Sequence, residues 1–230
     1  MPPTGNSFLD SLSDEMRSKL IPQLQRVDLP VRTSLYKAEE QPRYIHFMTS
    51  GMASVVTLME GGDAVEMGLV GKEGFPEKLH LLGGLTGGTE CFIQIPGTAL
   101  RMRFKEFQSQ FFQDAGLLHA VLQYVQYEAH TLAQLGACNR LHEVEERLAR
   151  WLLMVQDRVD TSELILTQEF LGQMLGARRS SVNLAIGSLQ RSGVIDHARG
   201  LIEIKNRESL QGVACECYPL IERLYRSIYR

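Results

Sequence analysis

The spacing of hydrophobic positions changes character three times along this chain of 230 residues. In residues 7 to 26, Phe8, Leu12, Met16, Leu20 and Leu24 recur at intervals of four, which predicts one amphipathic helix. From about 27 to 104 the helical period gives way to short β-like runs broken by glycine-rich turns. They are Tyr44–Met48 before Ser50-Gly51, Met52–Leu58 before Glu60, Ala64–Val70, Cys91–Ile95 before Pro96-Gly97, and Ala99–Phe104. Many short strands at regular spacing predict a sandwich or barrel. The helical period returns from Phe107 to Ala137, and nothing interrupts it between Gly116 and Gly136. There Leu118, Leu122, Val125, Ala129 and Leu132 repeat at spacings of four and three, a heptad-like seam suited to a partner helix. A helix packed on its own sandwich would show a similar stripe, and different faces can serve both. Cys138-Asn139-Arg140 reads as a hinge, and Leu141 to Arg158 as another amphipathic helix.

Residues 167 to 195 read as two short helices joined by a tight turn. Thr167 is the expected N-cap, and Phe170, Leu171, Met174 and Leu175 supply the buried face of the first helix. Gly172 is expected to let two helices cross closely, and Gly176 to take the sharp turn at positive φ. The second helix starts near Arg179, with Val182, Ile186 and Leu189 on its buried stripe and Arg179, Ser180 and Asn183 opposite. Gly193 is its stop signal. Such helix pairs also occur in proteins that never meet DNA, so the segment after them matters. Val194–His197, a turn at Arg199-Gly200 and Leu201–Ile204 predict a hairpin, which completes a winged helix with Arg199 at the wing tip. A helix-turn-helix of this kind presents the first turn of its second helix to base edges.

Charge sharpens that reading. The whole chain carries −3, so affinity for nucleic acid must come from a local patch. Residues 178 to 207 hold Arg178, Arg179, Arg191, Arg199, Lys205 and Arg207 against Asp196 and Glu203, a local +4. The acidic excess lies before residue 139. The candidate DNA contacts are Thr167, Gln168, Arg178, Arg179, Ser180, Ser181, Asn183 and Arg199. Length allows one large or two modest domains. No apolar run is as long as a membrane span and no signal-peptide pattern opens the chain, so the expected location is the cytoplasm, away from membranes.

The order of strand-rich domain, long helix, hinge and winged helix resembles the bacterial Crp/Fnr transcription regulators over nearly the whole chain. Glu143–Leu153 and the helix-turn-helix with Leu166-Thr167 before it carry the resemblance most strongly. It implies an α+β chain: a cyclic-nucleotide-binding-like β jelly roll with an N-terminal helix at 1–106, a dimerisation helix and hinge at 107–138, and a winged-helix DNA-binding domain at 139–230. It also implies a homodimer that reads a palindromic site in double-stranded DNA, with RNA polymerase as a further candidate partner. Where relatives that read the common half-site carry a glutamate and, four residues on, an arginine, this chain has Ser180 and Leu184. A related but different half-site is expected, with Arg179 on guanine and Asn183 on adenine or phosphate.

Effector chemistry departs further from the resemblance. Cyclic-nucleotide binders of this fold clamp the phosphate with an arginine, but none occurs from 44 to 100, and Glu90 lies close to where it should be. The residues of the corresponding pocket would be Glu77, Lys78, Thr89 and Glu90, with Lys78 a poorer substitute for the arginine. Cyclic AMP is not expected. Nor is an iron–sulfur cluster, because the first cysteine is Cys91. Haem is not expected either, since His80 and the opening Met1-Pro2-Pro3 lack supporting context. Cys215 and Cys217 have no third or fourth ligand near them in sequence, so no metal is expected, although Cys138 would suit a redox lever. No metal-binding His-x-His, nucleophile elbow, phosphate loop or dinucleotide fingerprint occurs, so no enzyme is expected. The competing reading is a small-molecule or protein-interaction module with a vestigial winged helix.

Overall fold

The computed structural model describes residues 1–61, 64–83, 87–159, 161–166 and 168–229, with only the backbone of Glu169. The chain begins with two short helices, α1 (Ser7–Ser11) and α2 (Asp14–Leu20), followed by a 3-10 turn. The single helix expected over 7–26 is therefore broken. The side chain of Ser13 accepts from Met16 N and starts a new helix, and Pro22 closes it. The spacing misled because Phe8, Leu12, Met16 and Leu20 all enter one apolar cluster despite the break. Asn6 ties this segment to the body, donating through Nδ2 to the carbonyls of Met48 and Gly74 at 2.8 Å each.

Among the described residues seven strands follow: β1 (Gln25–Leu29), β2 (Ser34–Tyr36), β3 (Tyr44–Met48), β4 (Met52–Leu58), β5 (Ala64–Val70), β6 (Thr89–Ile95) and β7 (Gly97–Arg103). They form two antiparallel sheets, β1-β7-β3 and β2-β6-β4-β5. Leu29, Leu35, Met48, Ala53, Val70, Cys91, Ile93 and Ala99 make up a shared core. A short helix, α3 (Lys78–Leu81), lies between β5 and β6.

The expected 107–137 helix is two helices, α4 (Phe104–Gln113) and α5 (Ala115–Leu141). Asp114 makes the break: its backbone is extended and its carboxylate accepts from Leu117 N at 2.9 Å. One stripe of α5, Leu117, Val121, Tyr124, Glu128, Thr131 and Cys138, is buried against the body. Tyr124 lies so close to Gly74 that a Cβ there would fall 2.2 Å from the ring, which explains glycine at that position. The expected hinge residues, Cys138–Arg140, are the last turn of α5. The bend comes at His142–Glu143, where the Glu146 carboxylate reaches back to Glu143 N at 3.0 Å, the second half of a capping box.

Beyond the bend lie α6 (Val144–Val159), β8 (Glu163–Ile165), α7 (Gln168–Leu175), α8 (Arg179–Arg191), β9 (Ile195–Ala198) and β10 (Leu201–Ile204). Two further helices, α9 (Arg207–Val213) and α10 (Cys217–Ile228), end the chain. The wing is a three-stranded sheet, β8-β10-β9, one strand more than the sequence suggested. Leu148, Leu152, Leu171, Val182, Ile186, Leu189 and Ile202 form its core, which continues into Met52, Val56 and Leu69 of the jelly roll. Helix α10 turns back along α5 and brings the Tyr225 hydroxyl to within 2.9 Å of Ser7 Oγ. No helix among the described residues is long and apolar enough to cross a membrane.

Candidate nucleic-acid interface and the junction behind it

Between α7 and α8 the chain reverses through Gly176 at φ +54. Ala177 N donates to Gly172 O at 3.0 Å. A Cβ on Gly172 would meet Ala177 O at 3.2 Å, so this glycine serves the turn itself rather than a crossing of two helices. Helix α8 then buries Val182, Ala185, Ile186 and Leu189 against α6, and Ser188 donates to Glu145 Oε1 at 2.9 Å. That fixes which way the opposite face points. Arg178, Arg179, Ser180 and Asn183 are exposed and Ser181 is half-buried. Arg179 and Asn183 stand one turn apart, and so do Ser180 and Leu184. Leu184 is 74% exposed, an apolar side chain held in the middle of a polar face.

At the wing, Arg199 (φ +50) and Gly200 (φ +80) form the two-residue turn with both central residues left-handed that such hairpins favour. Arg199 is exposed at the tip. Among the described residues, Arg178, Arg179 and Arg199 take part in no ion pair, so their charge is available to an anion. Gln168 is half-buried at the start of α7, and Thr167 lies outside the described residues.

The pocket candidates have a different setting. Glu77 is fully buried, accepting from the backbone N–H of His46 at 3.1 Å and lying 2.8 Å from the His46 ring. Lys78 pairs with Glu128 of α5 at 3.0 Å. Glu77 is thus a tie within the jelly roll and Lys78 ties it to α5, while Thr89 and Glu90 sit half-buried on β6. His80 packs its ring edge against Tyr36 at 4.5 Å, and burial pushes its pKa down.

Two polar contacts between described residues join the jelly roll to α6. Arg158 Nε donates to Glu73 Oε1 at 2.7 Å in a buried pair, and Trp151 Nε1 donates to Glu66 Oε1 at 2.9 Å. Burial raises the Glu66 pKa from 4.5 to about 7, against the opposing pull of Trp151, Ser54, Arg150 and Arg158. Because the folded pKa is raised, folding favours the protonated acid. That contribution is full below pH 4.5 and lost as pH rises through 7. Glu66→Gln keeps an acceptor for Trp151 without the charge. It should stabilise the chain by about 1–2 kcal/mol at pH 8 and by little at pH 4.5, as read by denaturant titrations at both. Equal effects at the two pH values would refute the burial of a charge-sensitive acid here.

At the bend, a group of side chains comes together that the sequence pattern did not connect. Cys138 and His142 lie one helical turn apart at the end of α5, and Cys215 and Cys217 flank the start of α10. Their candidate donor atoms all lie within 4.8 Å of one another. Cys138 Sγ is 3.5 Å from Cys215 Sγ, and Cys217 Sγ is 3.6 Å from His142 Nδ1. Cys215 precedes the helix, so the two cysteines of the Cys-x-Cys pair converge instead of diverging as they would on a helix. The missing partners were legible as Cys138-x-x-x-His142, whose spacing puts both side chains on one helical face, but Cys138 stands 77 residues from Cys215.

Comparison with known proteins bears on the same elements. Residues 146–213 match the model of the Crp-like helix-turn-helix domain. No curated protein matches the chain. Among solved structures, FixK2 from Bradyrhizobium japonicum superposes with a TM-score of 0.70 at 15% identity, covering 84% of this chain and 98% of that one. The chain shares that fold. A Crp/Fnr-family transcriptional regulator from Eubacterium rectale gives 0.70 at 13% identity, covering 92% and 99%. The c-di-GMP-responsive global regulator CLP of Xanthomonas campestris gives 0.67 at 14%, covering 84% and 99%. In this Crp/Fnr fold the jelly roll, the long helix and the winged helix stand in the expected order, and α8 occupies the recognition position of the helix-turn-helix. The Eubacterium rectale and Xanthomonas campestris proteins are both described as regulators.

Proposed function

We propose that the chain is a sequence-specific transcription regulator that binds a two-fold symmetric DNA site as a homodimer. The observation that carries this reading is the exposed face of α8, with Arg179, Ser180, Asn183 and Leu184 presented together on a Crp-like helix-turn-helix. Arg179 reads a guanine and Asn183 an adenine or a phosphate. Leu184, not among the contacts expected from sequence, meets a thymine methyl, the base feature that an apolar side chain can recognise. Arg178, Ser181 and Arg199 hold the phosphate backbone, as do Gln168 and Thr167 at the start of the motif. A vestigial winged helix has no need to keep three arginines out of ion pairs with the other described residues.

The dimer forms along α5. With its Tyr124 stripe committed to the body, Leu118, Val125 and Leu132 are only half-buried, while Leu122 and Ala129 are exposed. Two such seams pair as a coiled coil and set the recognition helices about 34 Å apart on one face of the duplex. Leu122→Glu places a charge in that seam. In sedimentation experiments it should shift the chain from dimer to monomer at micromolar concentration, and DNA affinity should fall with it. A variant that stays dimeric would place the interface elsewhere.

Lys78, the expected substitute for a phosphate-binding arginine, already neutralises Glu128. This supports a regulator whose signal is not cyclic AMP.

DNA binding itself is tested by titrating a random duplex at several salt concentrations. The logarithm of affinity should fall linearly with the logarithm of salt, and Arg199→Ala should reduce the slope by roughly one phosphate contact. Affinity that does not respond to salt would count against the proposal.

A further inference from the structure

The geometry points to a structural metal site at the bend, in which Cys138, His142, Cys215 and Cys217 hold one tetrahedral zinc-type ion. Three thiols and an imidazole are a donor set that prefers such an ion. With metal–sulfur bonds of about 2.3 Å, the edge of a tetrahedron is about 3.8 Å. Two of the six donor separations, 3.5 Å between sulfurs and 3.6 Å between sulfur and nitrogen, are close to that edge, and all six lie within 4.8 Å. An iron–sulfur cluster would interpose its own atoms and need its ligands farther apart than the 4.8 Å that contains all four. The three sulfurs are buried, and the histidine side chain is 18% exposed, so the site is closed, as structural sites are.

Two features around the cluster support the assignment independently. His142 Nε2 lies 3.0 Å from the Glu216 carboxylate, which leaves Nδ1 facing the sulfurs. A carboxylate on the outer nitrogen is the arrangement that orients a metal-bound imidazole. Gln134 Nε2 donates to Cys217 Sγ at 3.1 Å, a bond that suits a thiolate. The second feature is charge. Arg147 and Arg150 are both more than nine-tenths buried, their Nε atoms have no hydrogen-bond partner, and among the described residues neither has an ion pair. Three thiolates on a dication leave one negative charge, and Cys138 and Cys215 lie within electrostatic reach of both arginines. On binding, each thiol releases its proton to solvent as its sulfur bonds the ion, and no electrons are transferred. The ion staples the start of α10 to the end of α5, fixing the bend between the long helix and the winged-helix domain. A Cys138–Cys215 redox pair accounts for two of the four residues and leaves Cys217 and the His142–Glu216 contact without a role.

The test uses the full chain without a histidine tag, purified in reducing buffer from zinc-supplemented cells, with metal measured by mass spectrometry. The expected result is a single zinc ion per chain, lost in Cys138→Ser and Cys217→Ser and kept in Cys91→Ser, whose thiol lies in the jelly-roll core. Cobalt exchanged into the wild-type chain should show the strong visible absorption of a tetrahedral thiolate site, which decides the question even if the serine variants do not fold. A folded wild-type chain that binds neither zinc nor cobalt would overturn the proposal. So would metal retained in both serine variants, or a Cys138–Cys215 disulfide found in place of metal.

Discussion

Replacing Arg179 with alanine is expected to cost about 1–3 kcal/mol of discrimination at one base pair of the half-site, roughly 5- to 150-fold. Position is the reason. Arg179 opens α8, and the burial of Val182, Ile186 and Leu189 turns its side chain outward beside Asn183. At the start of a recognition helix, a guanidinium can donate two parallel bonds to the O6 and N7 of guanine, which no other base pair offers in that pattern. Loss of affinity should therefore be large on the preferred site and small on a site already mutated at that guanine. Arg199→Ala, at the wing tip, should weaken binding to every sequence alike. Measured by competition titrations on matched and mutated duplexes, a uniform loss from Arg179→Ala would move that residue to the phosphate backbone.

Replacing Arg158 with alanine is expected to destabilise the chain by about 3–5 kcal/mol, far more than the loss of an exposed ion pair would. Arg158 binds Glu73 Oε1 through Nε, and its NH1 group donates to Met154 O at 2.8 Å; both side chains of the pair are more than 90% buried. Burial works against the Arg158 cation, yet the nearby Glu73, Tyr127 and Glu128 more than offset it and raise its pKa. Gly71 accommodates the stem: a Cβ there would lie 2.8 Å from Arg158 Cγ. Without the guanidinium, the Glu73 carboxylate keeps, among the described residues, the N–H of Gly71 at 3.0 Å. The cost comes from stranding a charge, so the double variant Arg158→Met/Glu73→Gln should recover a large part of it. Denaturant unfolding of the two variants makes the comparison. A loss below about 1 kcal/mol for Arg158→Ala would mean that water reaches Glu73.

Legibility in the sequence follows the range of the forces involved. The strands β3, β4 and β5 were predicted to the residue because glycine-rich turns bound them. β6 and β7 were placed to within two residues. β1 was missed: it runs Gln25–Leu29 along a sheet edge with Leu29 alone fully buried, so no alternation marks it. β2, at three residues, is too short to show a period. The helix-turn-helix and its wing were legible because turn chemistry at Gly176 and Arg199-Gly200 is local. Helix breaks at Ser13 and Asp114 were hidden because capping residues can sit inside an apolar stripe without disturbing it. Junction contacts such as Arg158–Glu73 join residues 85 apart, and nothing local identifies such partners. The cysteine cluster lies between these cases. Each half has a readable spacing, but only the return of α10 along α5 brings the halves together.

Everything proposed about regulation depends on α8 reading a specific symmetric DNA sequence in a dimer. Selection of binding sites from random duplex DNA by the purified chain, with no added ligand, tests it most directly. The expected outcome is enrichment of a two-fold symmetric site whose half-sites lie about 10 base pairs apart, centre to centre, each with a guanine that stops being selected when Arg179 is alanine. A folded, dimeric chain that enriches no sequence would contradict it.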